Sequence, residues 1–288
     1  MDYEHKIEFY KNRNLGERFS AAIDFLKQNW KVLYKNVFII AIPLSLISGY
    51  SMQYYTSFSG SIDAFDFSKV AVNIITSFIY GIFLCATTGT VLLKYEEGTL
   101  TKKSGWNDLK ATLIPLSGKA CLINLVVGGI FIAITVLYGW LAFALASDDF
   151  PLMALALFIY IAVVVALLPS FSLVYFPAFF TGKSAFESIK IATNLGFKNW
   201  GTTFVVILLV SVFIFGVSLI FSIPNTILTF AFAGEHNFLT FISASVASFS
   251  TAIITPFVIV LFAFQYFAIT EKEEGISLQT QVDDFENL

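Results

Sequence analysis

Long apolar stretches alternate with short polar ones along the whole chain. Crossing a bilayer core of ~30 Å takes about 20 apolar residues. Six runs meet that length: Val37–Tyr54, Val70–Leu93, Ala120–Ala146, Pro151–Phe180, Thr202–Ile223 and Phe238–Ile269. None contains Asp, Glu, Lys, Arg or His. Pro169, Pro177 and Pro256 are placed to kink the longer runs. The fold class expected is all-α, a polytopic membrane protein with six transmembrane helices in one integral membrane domain over 1–288.

The polar segments carry a second pattern. Before span one, Leu15, Phe19, Ala22, Ile23, Leu26, Trp30 and Leu33 recur at helical spacing, opposite Glu17, Arg18, Asp24, Lys27, Lys31 and Lys35. Before span five, Phe186, Ile189, Ala192, Leu195 and Trp200 make a similar stripe. Before span three the stripe is shorter (Trp106, Leu109, Leu113), and Pro115 is expected to bend or end it. Leu278, Val282 and Phe285 repeat the spacing near the C-terminus. Glycine punctuates each segment, at Gly16, Gly98, Gly182 and Gly275, and "KYEEGTL" (94–100) is echoed by "KEEGISL" (272–278). The expected plan is an interfacial amphipathic helix followed by a two-span hairpin, written three times over about 15–95, 98–180 and 182–270. A C-terminal amphipathic helix over about 276–288 closes the chain. The glutamates of the echo would then begin the next helix, where they suit its positive dipole end.

Charge orients this plan. Sixteen of the seventeen Lys and Arg lie before span one, between spans two and three, between spans four and five, or after span six; only Lys69 lies on the other side. By the positive-inside rule both termini are cytoplasmic, and a polar first segment without a short apolar run reads as an uncleaved start. Composition agrees: 57% of residues are hydrophobic and 13% charged, against about 25% charged in soluble domains. A net charge of −3 offers no footprint for nucleic acid.

Candidate chemistry is sparse. The two histidines, His5 and His236, lie in polar segments, and Asp148, Asp149, Glu235 and His236 form the nearest acidic cluster, read as a solvated rim. "GKSAFES" (182–188) lacks the upstream glycine of a phosphate-binding loop. Cys85 and Cys121 sit in apolar runs and read as small hydrophobes. No catalytic residue, metal site or cofactor is expected, and the chain reads as a non-enzyme. Three features stand out instead. Lys27, Lys31 and Lys35 are spaced to meet lipid headgroups; Trp30, Trp106 and Trp200 are placed as interfacial anchors; and Pro169, Ser170, Thr255 and Pro256 could line a solute path between spans four and six. In span six, Ser243, Ala247 and Thr251, with Ala244, Ser248 and Ala252 beside them, suggest a small-residue packing seam.

At "FLKQNWKVL" (25–33) and "TNLGFKNWG" (193–201), each followed by an apolar run, the chain resembles a loose group of bacterial six-span membrane proteins that includes the membrane domain beside some glycerophosphodiester phosphodiesterases. The resemblance implies a bacterial inner-membrane protein; no phosphodiesterase domain is present, so that activity is not implied. Two roles are expected: a non-catalytic scaffold or accessory subunit organising lipids or partner proteins, or a permease for an amphipathic or lipid-like solute. The partners expected are membrane lipids and other membrane or cytoplasmic proteins.

Overall fold

The computed structural model describes residues 6–56, 67–145, 150–231 and 237–276. Among these the chain is all-helical, with α1 (Leu15–Thr56), α2 (Phe67–Glu96), α3 (Trp106–Leu145), α4 (Phe150–Phe171), α5 (Tyr175–Phe180), α6 (Ala185–Lys198), α7 (Trp200–Ala231) and α8 (Asn237–Glu274). Six stretches are long and apolar enough to cross a membrane, in α1, α2, α3, α4–α5, α7 and α8. The chain therefore has the character of a multi-pass helical membrane protein. The helix expected over 276–288 and the cluster of Asp148, Asp149, Glu235 and His236 lie outside the described residues, Ile276 apart.

The helices are held together in two tiers. α2 is central: every residue from Leu84 to Leu92 is buried, enclosed by α1, α3, α5 and α8. α1 and α8 run antiparallel along their length, as Tyr34 donating to the Ile253 carbonyl (2.9 Å), Phe38 against Phe249 (5.0 Å) and Gly49 against Ser245 show in order. α3, α4 and α7 form an outer tier whose spans are mostly exposed, with Trp140, Phe143, Phe158, Val212 and Phe215 pointing outward. In a bilayer such side chains lose nothing, because lipid tails are as apolar as they are.

Two of the three expected lead-in helices are not separate elements. α1 passes from Leu15 through span one without a break, and α3 runs from Trp106 past Pro115, which does not end it. Only α6 is distinct, divided from α7 at Asn199. The α1 stripe is also turned by about one residue. The buried positions are Arg18, Ala21, Ala22, Phe25, Asn29, Val32, Leu33, Asn36 and Val37, while Ile23 and Trp30 are exposed. Thus Arg18 is not on the outer face, and Trp30 does not share a face with Leu33. The polar residues inside explain the mismatch: Asn29 and Asn36 donate to the carbonyls of Phe25 (2.9 Å) and Val32 (2.7 Å), one turn back, so each amide is partly satisfied within its own helix. α6 behaves alike, burying Ala185, Ser188, Ala192 and Leu195 and exposing Phe186.

Helix ends repeat a device. Asn14 Oδ1 accepts from the Glu17 amide while Glu17 accepts from the Asn14 amide; Ser184 and Glu187 do the same; and Asp108 accepts from the Gly105 amide. These are capping boxes, the Gly105 one lacking its side-chain half. Gly98, Gly182 and Gly275 all adopt positive φ (72°, 69° and 61°) just after α2, α5 and α8. Gly16 does not; it lies in the first turn of α1. The echoed glutamates consequently sit at helix C-termini, Glu96 ending α2 and Glu273 and Glu274 ending α8, and not at helix starts. What "EEG" writes is a helix stop, with the glycine taking the left-handed conformation that other residues avoid.

Candidate functional site at the lysine-rich end

Most of the buried core gathers toward one end of the bundle, where the helix termini rich in lysine lie. There α1, α2, α5 and α8 present a cluster of aromatic rings, and the N-terminal segment before α1 closes it. Phe9, 4% exposed, sits among Tyr95 (5.7 Å, stacked), Phe264 (5.4 Å), Phe267 (4.7 Å), Phe25 (6.2 Å) and Phe180 (6.3 Å). Five rings from four helices thus surround a side chain from a non-helical strap. The Ile7 amide donates to the Tyr95 hydroxyl (2.9 Å), which in turn donates to Gln28 Oε1 (2.8 Å). Tyr10 packs edge-on to Phe267 (5.0 Å), and burial pushes its phenol well above the usual range.

Beside the rings lies a buried polar chain. Arg18 donates to Gln265 Oε1 (2.6 Å) and to the Arg13 carbonyl (2.9 Å); Gln265 Nε2 donates to Thr203 Oγ1 (3.0 Å). Arg18 is 8% exposed and Gln265 fully buried. The network ties α1, α8 and α7 together, and a charge-assisted bond is the strongest kind available there. Arg13 folds back onto the carbonyls of Glu8 and Phe9, its guanidinium 5.6 Å from the Phe264 ring centre; burial lowers its pKa from the ordinary arginine value. The sequence marks Gln265 only as one neutral polar residue in span six and Arg18 as a surface charge. Their partnership joins positions 247 apart, and no local pattern signals it.

Lys27, Lys31 and Lys35 are all exposed along one side of α1. Lys27 lies 3.8 Å from Asp24, and Lys31 sits over the Trp30 ring at 5.7 Å. Trp30, more than half exposed, shares this outer face with the lysines. Trp106 is half-buried at the start of α3. Trp200 donates its indole N–H to the Ala166 carbonyl (3.1 Å) and stacks on Phe204 (4.7 Å).

The four residues considered for a solute path fall into two separate places. Pro169 and Ser170 are buried where α4 meets α6, with Gly196 against Ser170. Thr255 and Pro256 lie on α8, which packs on α1, α2 and α7 and makes at most marginal contact with α4. The small-residue seam of α8 is likewise turned. Ser245 is the point of closest approach, to Gly49, whereas Ala247 and Thr251 are exposed. Among the described residues no three His, Cys, Asp or Glu side chains come together as a metal-binding group. No family model, curated protein or solved structure matches this chain.

Proposed function

We propose that the chain is a non-catalytic integral protein of the bacterial cytoplasmic membrane, a scaffold or accessory subunit that organises anionic lipids, and through them or directly its protein partners, at its cytoplasmic face. The observation that carries this reading is the outer face of α1. Lys27, Lys31 and Lys35 point outward beside an exposed Trp30, on a helix continuous with a membrane span. Lysine stems reach toward headgroups while the indole sits at the interface, and the unbroken helix holds both at a fixed depth. The excess of Lys and Arg at this end supports a cytoplasmic location for it and for both termini.

Similar helix ends along the chain support the same reading. The capping pairs Asn14–Glu17, Gly105–Asp108 and Ser184–Glu187 start α1, α3 and α6, and the left-handed glycines stop α2, α5 and α8. Each two-span hairpin is thus bounded by the same chemistry on the lysine-rich side. The experiment that tests the lipid role uses the full chain in nanodiscs of mixed neutral and anionic lipid. Each lysine near an anionic surface contributes about 1 kcal/mol, so changing Lys27, Lys31 and Lys35 together to Gln should remove about 3 kcal/mol of anionic-lipid preference. Added salt should weaken the wild-type preference and leave the triple variant little changed. Equal lipid selection by the two proteins would sink the proposal.

A further inference from the structure

Charge at the lysine-rich end is unevenly answered by opposite charge. Glu8 lies beside Lys11, Asp24 beside Lys27 and Glu273 beside Lys198, and Glu17 spends its carboxylate on the Asn14 amide. Arg13 feels Glu8 and Glu17 through space. Arg18 is the exception. It is buried, and among the described residues no carboxylate lies within ion-pair distance of it. A guanidinium taken out of water ordinarily has a partner of opposite sign, because an uncompensated buried charge is costly.

Hydrogen bonds at this place leave donors over. A guanidinium carries five N–H groups. One of those on Arg18 bonds Gln265 Oε1 and one the Arg13 carbonyl; the other three meet no acceptor among the described residues. Gln265 Nε2 donates once, to Thr203 Oγ1, and its second N–H is unspent. Thr203 accepts that bond, yet its own hydroxyl proton goes to no acceptor, whereas the neighbouring Thr202 hydroxyl donates to the Asn199 carbonyl (3.0 Å). Gln265 and Thr203 are fully buried, so bulk water does not fill the shortage. Turning the Gln265 amide over would set its NH2 against the guanidinium, so the surplus does not depend on that choice. Three linked side chains thus carry a positive charge and unspent donors together.

We propose that Arg18, Gln265 and Thr203 form a binding site for a phosphate group, carried by a phospholipid headgroup or free in solution. The planar fork of Arg18 matches two oxygens of a phosphate with two parallel bonds. The tetrahedral group has further oxygens for the Gln265 amide and the Thr203 hydroxyl, which a spherical anion lacks. α1 and α7 both pack on α8 but make at most marginal contact with each other, so no close helix–helix contact shuts the approach between Arg18 and Thr203. The lysines around this end raise the local concentration of anions. The site is distinct from Lys27, Lys31 and Lys35, which lie on the outer face of α1, whereas Arg18 lies on its buried face.

The test follows thermal unfolding of the full chain in a maltoside detergent free of phosphate and lipid. The probes are inorganic phosphate, short-chain phosphatidic acid, short-chain diacylglycerol and chloride at matched ionic strength. A ligand that binds only the folded protein raises its melting temperature saturably. Inorganic phosphate, phosphatidic acid or both should do so, and diacylglycerol and chloride should not. A shift with inorganic phosphate alone assigns the site to a free anion, and one with phosphatidic acid alone assigns it to a lipid headgroup. Arg18→Lys keeps the charge but loses the fork, and should weaken binding at least about tenfold. Thr203→Val removes one donor at nearly constant shape and should weaken it too; if Arg18→Lys does not fold, this variant decides. Changing Lys27, Lys31 and Lys35 together to Gln should leave the shift in place, so this result and that of the lipid-selection test stand apart. The proposal is overturned if neither phosphate compound shifts the melting, if Arg18→Lys and Thr203→Val both keep the full shift, or if the triple lysine variant loses it.

Discussion

Two glycines decide how closely the helices approach. A Cβ on Gly49 would lie 1.9 Å from Ser245 Oγ and under 3 Å from the backbone of α8; one on Gly196 would lie 2.4 Å from Ser170 Cα. In both places the obstacle includes backbone, which cannot swing away as a long side chain can. Gly49→Ala and Gly196→Ala should each destabilise the protein by about 1–3 kcal/mol, the usual cost of overpacking. Gly118→Ala is the control: nothing lies within 4 Å of its Cβ, and alanine is the better helix former by about 1 kcal/mol. Thermal unfolding in detergent should rank the three, with Gly118→Ala at or above wild type. Equal melting of all three would mean that the close contacts contribute nothing. The seam could be suspected from the sequence, since small residues at four-residue spacing mark close-packed helices in membranes. Its register could not, because α8 is rich in small residues on several faces and only the partner glycine on α1 selects Ser245.

At the level of the element, α6 shows most plainly how local chemistry fixes a helix start. Ser184 caps it and Glu187 closes the box, and the bonds from the Ser184 amide and hydroxyl hold the Glu187 carboxyl below its ordinary range. A depressed pKa means that the contribution is complete above the usual carboxylate range and is lost as pH falls through the folded value. Because it removes the side chain that caps the Glu187 amide, Ser184→Ala should cost about 1 kcal/mol of α6 stability at neutral pH. Hydrogen exchange at the first amides of α6, corrected for intrinsic rate, should accelerate on acidification in wild type and do so less in Ser184→Ala. An unchanged pH response in the variant would remove the box from the account. The six spans were legible in the sequence because twenty uncharged residues have few other uses. The buried face of the lead-in segments was not. Hydropathy put Trp30 and Phe186 inside and Arg18 outside, whereas in the fold Arg18 and the small or self-satisfied polar residues Asn29 and Ser188 pack and the bulky aromatics face out. In a water-soluble helix that arrangement would be inverted; beside a bilayer, an outward aromatic has a favourable place to go.

For the whole molecule, side-specific labelling tests the arrangement of the spans. Ser104 is buried and bonded to Thr101, and Ser184 is a cap, so neither is a suitable reporter; Lys103 and Lys183 are exposed neighbours. In a background with Cys85 and Cys121 replaced, Lys103→Cys and Lys183→Cys should resist membrane-impermeant thiol reagents in intact cells and react in inverted vesicles. Reaction of either in intact cells would overturn the cytoplasmic assignment of the lysine-rich end. The aromatic cage and the Arg18–Gln265–Thr203 chain were beyond sequence reasoning for one reason. Each is assembled from helices far apart along the chain, and the residues involved look ordinary alone. Phenylalanine in an apolar run and a glutamine near a span's end gain meaning only from their neighbours in space.

The continuity of α1 has a mechanical consequence. Its 42 residues make a rod on the order of 60 Å long, about twice the hydrocarbon thickness. A bilayer that thins or thickens changes the tilt of a span. Tilting such a rod by ten degrees about its middle would move each end by on the order of 5 Å, so its outer tip acts as a pointer that magnifies bilayer thickness. α7 has no such arm, because the chain is jointed at Asn199 and α6 can keep its attitude while the span leans. The two ends of one membrane face would thus answer the same change in thickness differently, one swinging and one staying level.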